Sequence, residues 1–311
     1  MMAEQEVTEQ EQDVSGGANS AVVGLREDLV TLTKARLSAL VVMTTLFGYL
    51  LAARSLGSFS WWDLGHTIFG TLLTAFGAAA FNQVMELEAD AKMDRTADRP
   101  LPTRRVSAAA AFVLGWLFSA FGVVHLAMKV DFLAAVFAAA TLLTYLFIYT
   151  PMKTRSTWNT VVGAVAGALP PLIGWAAAGG GLTLGGAYLF ALLFFWQMPH
   201  FLAINWMYRD QYVQGGFVMW SNDDDDGSKT SRLAIQFSVF TLLLPFMPVL
   251  SGEAHGWFLI PGVLLGGMML KYALVFRKER TREKARALFF YTLAYLPLVL
   301  LFSWAAWGIK N

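Results

Sequence analysis

The chain has 311 residues, 56% hydrophobic and 14% charged, with a mean hydropathy of +0.51 and a formal net charge of +1. A soluble domain carries about a quarter charged residues, so a water-soluble globular protein is excluded and a polytopic membrane protein is predicted. With no cysteine, disulfides, thiolate catalysis and cysteine-based metal sites are excluded.

Residues 1–28 hold seven acids among Gln, Ser and Gly, with Arg26 as the single base. This composition predicts a disordered acidic tail. It has neither the basic start and apolar core of a signal peptide nor the basic character of a mitochondrial transit peptide, which favours a bacterial inner (plasma) membrane. Residues 29–311 form the second expected unit, a transmembrane domain.

Nine apolar runs follow, each long enough for the roughly 20 residues that a helix needs to cross a bilayer. They are Leu37–Ala53, Trp62–Leu87, Ala108–Met128, Phe132–Tyr149, Trp158–Ala178, Thr183–Trp206, Leu233–Ser251, Trp257–Phe276 and Leu288–Trp307. The expected fold is therefore all-α, nine transmembrane helices around a central cavity. Nineteen of the 23 Lys and Arg residues fall on one side of this arrangement, and only Arg54, Lys129 and Lys310 on the other. The positive-inside rule then puts the N-terminus in the cytoplasm and the C-terminus outside. Trp61 and Trp62 fit an aromatic belt at the outer interface. The inner connections between runs 2 and 3 and between runs 6 and 7 are the long, polar ones, and long loops in compact domains usually carry function.

Run 2 ends in Asn82, Glu86 and Asp90, spaced four apart and hence on one helical face. Amide and carboxylate oxygens at this spacing suit Mg²⁺, which binds a few protein oxygens and bridges to phosphates. The loop beyond carries Arg95 and Arg99 before Pro100 and Pro102, guanidinium groups able to clamp phosphate oxygens. The alternative is a helix end whose acids are simply solvated. Four such features together weigh against it.

Lys153 and Arg155 close run 4 on the same side, as neutralisers of a leaving diphosphate or as ordinary positive-inside flanks. Asn159, Gly163, Gly167, Pro170, Pro171 and Gly174 fill run 5. Small residues allow close helix contact, and paired prolines predict a kink. In run 6, Gln197, His200 and Asn205 interrupt an apolar stretch and are expected to face the bundle interior. His200 is a candidate haem axial ligand, a proton-transfer group or a hydrogen-bonded core histidine. His66, His125 and His255 lie toward the outer face. The acidic run Asp223–Asp226 is read as a flexible solvated loop, with metal binding as the alternative. Polar motifs at the inner ends of runs 2 and 6 hint at a duplicated four-helix unit with a site between the halves.

Three stretches carry a family resemblance over about residues 30–308. The first is Asn82-Gln83-x-x-Glu86-x-x-x-Asp90 continuing through Met93, Arg95-Thr96 and Arg99-Pro100-Leu101-Pro102. The second is Tyr149-Thr150-Pro151-x-Lys153, with Asn159, Pro170-Pro171 and Gly174-Trp175. The third is Trp196-Gln197-Met198-Pro199-His200-Phe201, with Tyr208-Arg209 and Tyr212. Together they resemble the intramembrane prenyltransferases of the UbiA type, and most closely their haem O synthase branch. The resemblance implies transfer of the farnesyl group of farnesyl diphosphate to a vinyl group of haem b, giving haem O and diphosphate.

It implies that Asn82, Glu86 and Asp90 hold Mg²⁺–diphosphate, with Arg95, Arg99, Tyr149 and Lys153 at the catalytic centre. Asn159, Gln197, His200, Arg209, Asp210, Tyr212 and Arg155 become substrate-binding candidates, His200 on the haem side. Haem b, farnesyl diphosphate and membrane lipid are the implied partners, with haem A synthase or oxidase assembly factors downstream and no nucleic acid.

The sequence departs from the family where Thr154 replaces a basic residue, Gln211 replaces an aspartate and Phe217-Val218-Met219 replaces Ile-Pro-Met. Those changes point to Asp210 or Asp223–Asp226 as substitutes in a second metal site. The competing readings are a prenyltransferase for another aromatic acceptor such as a quinone precursor, a transporter, and a non-enzymatic haem-binding assembly factor.

Overall fold

In the computed structural model, which describes residues 24–308, nine helices are long and apolar enough to cross a membrane among the described residues. They are α1 (Ala35–Leu56), α2 (Trp61–Met85), α3 (Ala108–Lys129), α4 (Phe132–Met152), α5 (Asn159–Ala177), α6 (Leu184–Met207), α7 (Ser228–Leu250), α8 (Gly256–Glu279) and α9 (Arg282–Ala306). The protein is a multi-pass membrane protein of the expected all-α class. Of the expected acidic tail, residues 1–23 lie outside the described residues. Residues 24–32 are helical, and the Asp28 carboxylate accepts a 2.8 Å hydrogen bond from Arg105 Nε. Order thus begins before residue 29.

Each apolar run becomes a helix, but several helices extend past the run. α7 begins at Ser228 instead of Leu233 and α9 at Arg282 instead of Leu288. Apolar content ends where lipid ends, whereas a helix ends where its terminal groups find a partner. For α9 that partner is Thr281, whose hydroxyl accepts from Lys284 N. For α7 it is Asp224, whose carboxylate accepts from Lys229 N at 3.1 Å and Thr230 N at 2.7 Å. This overturns the flexible-loop expectation for Asp223–Asp226. Asp224 is buried as a helix cap, and Asp226 accepts from Ser228 N and pairs with Arg280. The hydrogen bond from Ser228 holds the Asp226 carboxyl below its ordinary range.

The prolines break α5 as predicted, into Asn159–Ala168 and Pro170–Ala177. The second piece lies against α1 at near-backbone contact. A Cβ on Gly174 would stand 1.8 Å from the Thr45 carbonyl oxygen, and one on Gly48 would stand 2.0 Å from that of Pro171. α2 packs along α3, and α6 packs against α5, α7 and α9. A large aromatic-rich core under α6, α7, α8 and α9 contains Trp196, Phe258, Tyr295 and Trp307. On the other side, α1, α2, α4, α5 and α6 surround a hollow. One irregularity has no sequence forewarning: Thr144–Tyr149, near the C-terminal end of α4, forms a π-helical turn. Such turns insert a residue into the α-helical ladder and recur at functional sites. Here the turn presents both Tyr145 and Tyr149 to the hollow.

Candidate active site

The hollow has two chambers. An apolar one of about 240 Å³, deep among the spans, is lined by residues of α1, α2, α4, α5 and α6, among them Val41, Ala75, Ala78, Leu142, Ile173 and Gln197. A polar one of about 250 Å³ lies at the helix ends where the basic residues gather, and includes Glu86, Asp90, Arg95, Arg99, Lys153 and Asn159. Lys34, Leu37, Tyr149 and Phe201 line both chambers and so form the neck between them.

The polar chamber is built from the end of α2. That helix stops at Met85, and Glu86 has left helical geometry with φ −104° and ψ 11°. A short helix, Leu87–Asp90, resumes at once. Across the break, Glu86 N still bonds to Asn82 O at 3.0 Å and Asp90 N to Glu86 O at 2.8 Å. The four-residue register therefore persists, but only Glu86 and Asp90 line the polar chamber; Asn82 is fully buried and lines neither chamber.

Each of the three side chains has a cation. Lys34 Nζ donates to Asn82 Oδ1, Lys153 Nζ to Glu86 Oε1 at 2.6 Å, and Arg99 NH1 to Asp90 Oδ2 at 2.6 Å. Two of those cations come from elsewhere in the chain, at the starts or ends of α1 and α4. Burial tends to raise the Glu86 carboxyl, but the Lys153 and Lys34 ammonium groups outweigh it and hold the group below its ordinary value. Burial likewise works against the Lys153 ammonium, and Glu86 beside it prevails, so Lys153 stays protonated. Lys34 is the reverse: burial pulls its ammonium down to about 7, with Glu86 only partly opposing. Lys34 also sits at φ 46°, left-handed for a residue with a side chain, a strain of order 1–3 kcal/mol that usually marks a functional position.

Lys34, Arg95, Arg99 and Lys153 face the chamber against only two carboxylates, Glu86 and Asp90. With Lys34 only partly charged near neutral pH, a surplus of at least one positive charge remains and makes the chamber an anion site that also holds hard oxygen donors. Arg95 lies over the rings of Tyr208 and Tyr212, 5.2 Å and 5.7 Å from their centres. Lys153 lies 4.6 Å from the centre of the Tyr149 ring. Phe217 and Met219 line the chamber too. The segment between them is tied down at Val218, whose N donates to Lys153 O at 2.6 Å and whose O accepts from Asn159 Nδ2 at 2.7 Å.

The donor chemistry fits a divalent cation. The Glu86 and Asp90 carboxylates in the polar chamber are hard ligands of the kind Mg²⁺ takes, while the Asn82 amide oxygen is fully buried behind them and bound by Lys34. The amide nitrogens of Asn82 and Asn205 are buried without partners. Asn205 lines the polar chamber from α6, so the C-terminal ends of α2 and α6 do converge on one site.

Other candidates fall elsewhere. His200 lines neither chamber. Its Nδ1 is 2.8 Å from Thr292 Oγ1 of α9, and its ring stacks between Trp196 and Phe289. Of its three readings, this geometry is that of the hydrogen-bonded interhelical histidine. Asp210 points into solvent, 88% exposed, with Arg209 as its partner. Arg209 itself bonds to the carbonyls of Asp224 and Asp225 and covers the Trp206 ring. Arg155 is exposed outside the chamber. Gln197 faces the apolar chamber, its Nε2 donating to Leu193 O at 2.9 Å.

Three residues at the neck or walls escaped the sequence reading as site residues: Lys34, Tyr145 and Asn205. Lys34 looks like one more positive-inside flank. Only its immediate approach to the span sets it apart.

The chain matches the model of the UbiA prenyltransferase family over residues 41–306. It is 41% identical over 279 residues to a protoheme IX farnesyltransferase of Solibacter usitatus, covering 88% of this chain and 96% of that one. A protoheme IX farnesyltransferase of Opitutus terrae is 42% identical, with 88% and 92% covered. Among solved structures, a digeranylgeranylglyceryl phosphate synthase superposes with a TM-score of 0.76 at 15% identity, covering 90% of this chain and 97% of that one. A UbiA homolog from Archaeoglobus fulgidus bound to GPP and Mg²⁺ superposes with a TM-score of 0.60 at 11% identity, with 88% and 99% covered.

Proposed function

The chain belongs to the UbiA prenyltransferase family, and from that premise we propose that it transfers the farnesyl group of farnesyl diphosphate to a vinyl group of haem b, giving haem O and diphosphate. The observation that carries the reading is the pair of joined chambers. One is polar with surplus positive charge, the other apolar, and the neck between them lies at Tyr149. A prenyl diphosphate has the same two-part character. Its diphosphate belongs with Arg95, Arg99, Lys153 and Lys34, and its hydrocarbon chain with the wall of α2 and α5. The acceptor rests on the relatives, named protoheme IX farnesyltransferases at about 40% identity.

In this reading the bond from C1 of the farnesyl chain to the diphosphate oxygen breaks, and its electron pair leaves with the diphosphate. Fixed cations facing that oxygen stabilise the charge as it develops. Asn82, Glu86 and Asp90 are the residues that would hold Mg²⁺, which would supply further neutralisation of the diphosphate. The allylic carbon then bonds to the terminal vinyl carbon of haem. The positive charge passes to the carbon next to the ring, which takes a hydroxyl from water as a proton is released. Tyr149 and Phe201 present aromatic faces at the neck where the cation forms. Asn159 and Tyr212 complete the walls of the polar chamber.

The charge distribution of the loops supports a cytoplasmic location for the polar chamber, and the likeness to bacterial relatives supports an inner membrane. Mass spectrometry of haems from cells expressing the chain tests the proposal. Haem O is expected with the unaltered chain and only haem b with Glu86→Gln. A prenylated quinone precursor with haem b unmodified is the result that refutes it.

A further inference from the structure

The lining of the apolar chamber ends at a similar depth on three of its five helices. On α2 it runs from Ala79, near the neck, to Thr71; on α4 from Tyr149 to Thr141 and Leu142; on α5 from Gly163 to Ile173. At about 1.5 Å of rise per residue these stretches span about 12 Å on α2 and α4 and about 15 Å on α5, close to the length of three extended isoprene units. On α1 and α6 the lining stops nearer the neck, at Val41 and Gln197.

The residues at that depth are well supported from behind. Ile173 is 2% exposed and packs into a cluster with Leu126 of α3 and Ala134, Ala135 and Ala138 of α4. Leu142 is 9% exposed and Thr71 1%. Above them the walls are small, with Ala75, Ala78, Ala166 and Gly167 giving the chamber its width. Close-packed interiors resist the displacement of buried side chains, so an extra five carbons along this axis would have to push Thr71, Leu142 or Ile173 aside.

We infer that Thr71, Leu142 and Ile173 form the floor that limits the transferred chain to three isoprene units. The inference rests on the prenyltransferase reading and adds the residues that set the length of its donor. Shortening the floor opens the chamber, and filling it higher up closes it early. An aromatic ring at Ala75 stands one helical turn above Thr71 on the same face and removes the space of the last unit.

The test is a competition on the full-length protein in detergent, with haem b, Mg²⁺ and equal farnesyl and geranylgeranyl diphosphate. The products are weighed by mass spectrometry. The unaltered chain is expected to give the farnesyl adduct almost alone. Ile173→Ala and Leu142→Ala are expected to raise the ratio of geranylgeranyl to farnesyl adduct at least tenfold. Ala75→Phe, offered geranyl and farnesyl diphosphate, is expected to shift at least tenfold toward geranyl.

A merely structural role lowers all products together and leaves the ratios alone. Ratios within twofold of the unaltered chain, in any variant that retains turnover, overturn the floor while leaving the prenyltransferase reading intact. If Ile173→Ala does not fold, Ala75→Phe decides by the same ratio. An unaltered chain that converts none of the three diphosphates overturns both.

Discussion

Lys153 reaches from the end of α4 to set its ammonium 2.6 Å from the Glu86 carboxylate at the end of α2, with both side chains nearly closed off from solvent at 12% and 8% exposure. A buried pair of this kind contributes little net stability, but removing one partner strands the other as an unpaired charge, at about 3–5 kcal/mol. Glu86→Gln and Lys153→Met are each expected to lower the unfolding free energy in detergent by that order and to reduce haem O formation at least a hundredfold. The double variant regains part of the stability and none of the activity. A double-mutant cycle on both readouts checks this. Additive losses of stability would show that the two groups act independently.

Arg99 holds Asp90 through one guanidinium nitrogen, which leaves the rest of its fork to face the polar chamber. Arg99→Lys keeps the charge and loses the planar fork. Its KM for farnesyl diphosphate is expected to rise about tenfold, the worth of one charge-assisted hydrogen bond, with a smaller change in kcat. Steady-state kinetics at saturating haem b decide the split. A fall in kcat at unchanged KM would assign Arg99 to the transition state alone.

Removal of divalent cations is expected to abolish turnover, and Mg²⁺ to restore it. Asp90→Asn weakens one hard donor of the three, so the Mg²⁺ concentration giving half-maximal rate is expected to rise at least fivefold. Titration of activity against Mg²⁺ after chelation measures it. Full activity in excess chelator would remove the metal from the mechanism.

His200 and Asp210 are expected to be dispensable for chemistry. His200→Phe keeps the stacking on Trp196 and Phe289 and loses the bond to Thr292, which predicts a rate within about threefold and a stability loss near 1 kcal/mol, typical of a neutral hydrogen bond. Asp210→Asn, at an exposed position, is expected to change neither rate nor Mg²⁺ dependence. A hundredfold loss of rate in a His200→Phe protein of normal stability would return His200 to the haem side of the site.

Gly174→Ala is expected to prevent accumulation of folded protein. The added Cβ would meet the Thr45 carbonyl at 1.8 Å, backbone against backbone, where neither helix can yield by rotating a side chain. Gly256→Ala has open space around it and serves as the control. Fluorescence-detected size exclusion of both variants reports the difference.

Much of this protein is legible in its sequence because lipid imposes a simple rule. A span must be apolar and helical throughout, so all nine runs are visible, and the paired prolines announce the break in α5. The line Asn82, Glu86, Asp90 is legible for a related reason: an acid at the end of an apolar run is expensive enough to need a purpose. What escapes is whatever depends on partners remote in sequence. Lys34 meets Asn82 across 48 residues, and nothing near Lys34 encodes that meeting. His200 reads as a functional histidine because its satisfied bond to Thr292 lies 92 residues away. The π-helical turn that turns Tyr145 and Tyr149 inward has no compositional sign. Asp223–Asp226 misleads because charge runs usually signify solvation, whereas here the second carboxylate of the run is spent on two amides of α7.

Lys153 is fastened twice, by its ammonium to Glu86 and by its carbonyl oxygen to Val218, whose neighbours Phe217 and Met219 line the polar chamber. One residue therefore both balances the buried carboxylate and anchors the backbone of the facing wall, so the charge and the shape of that wall share a single point of attachment.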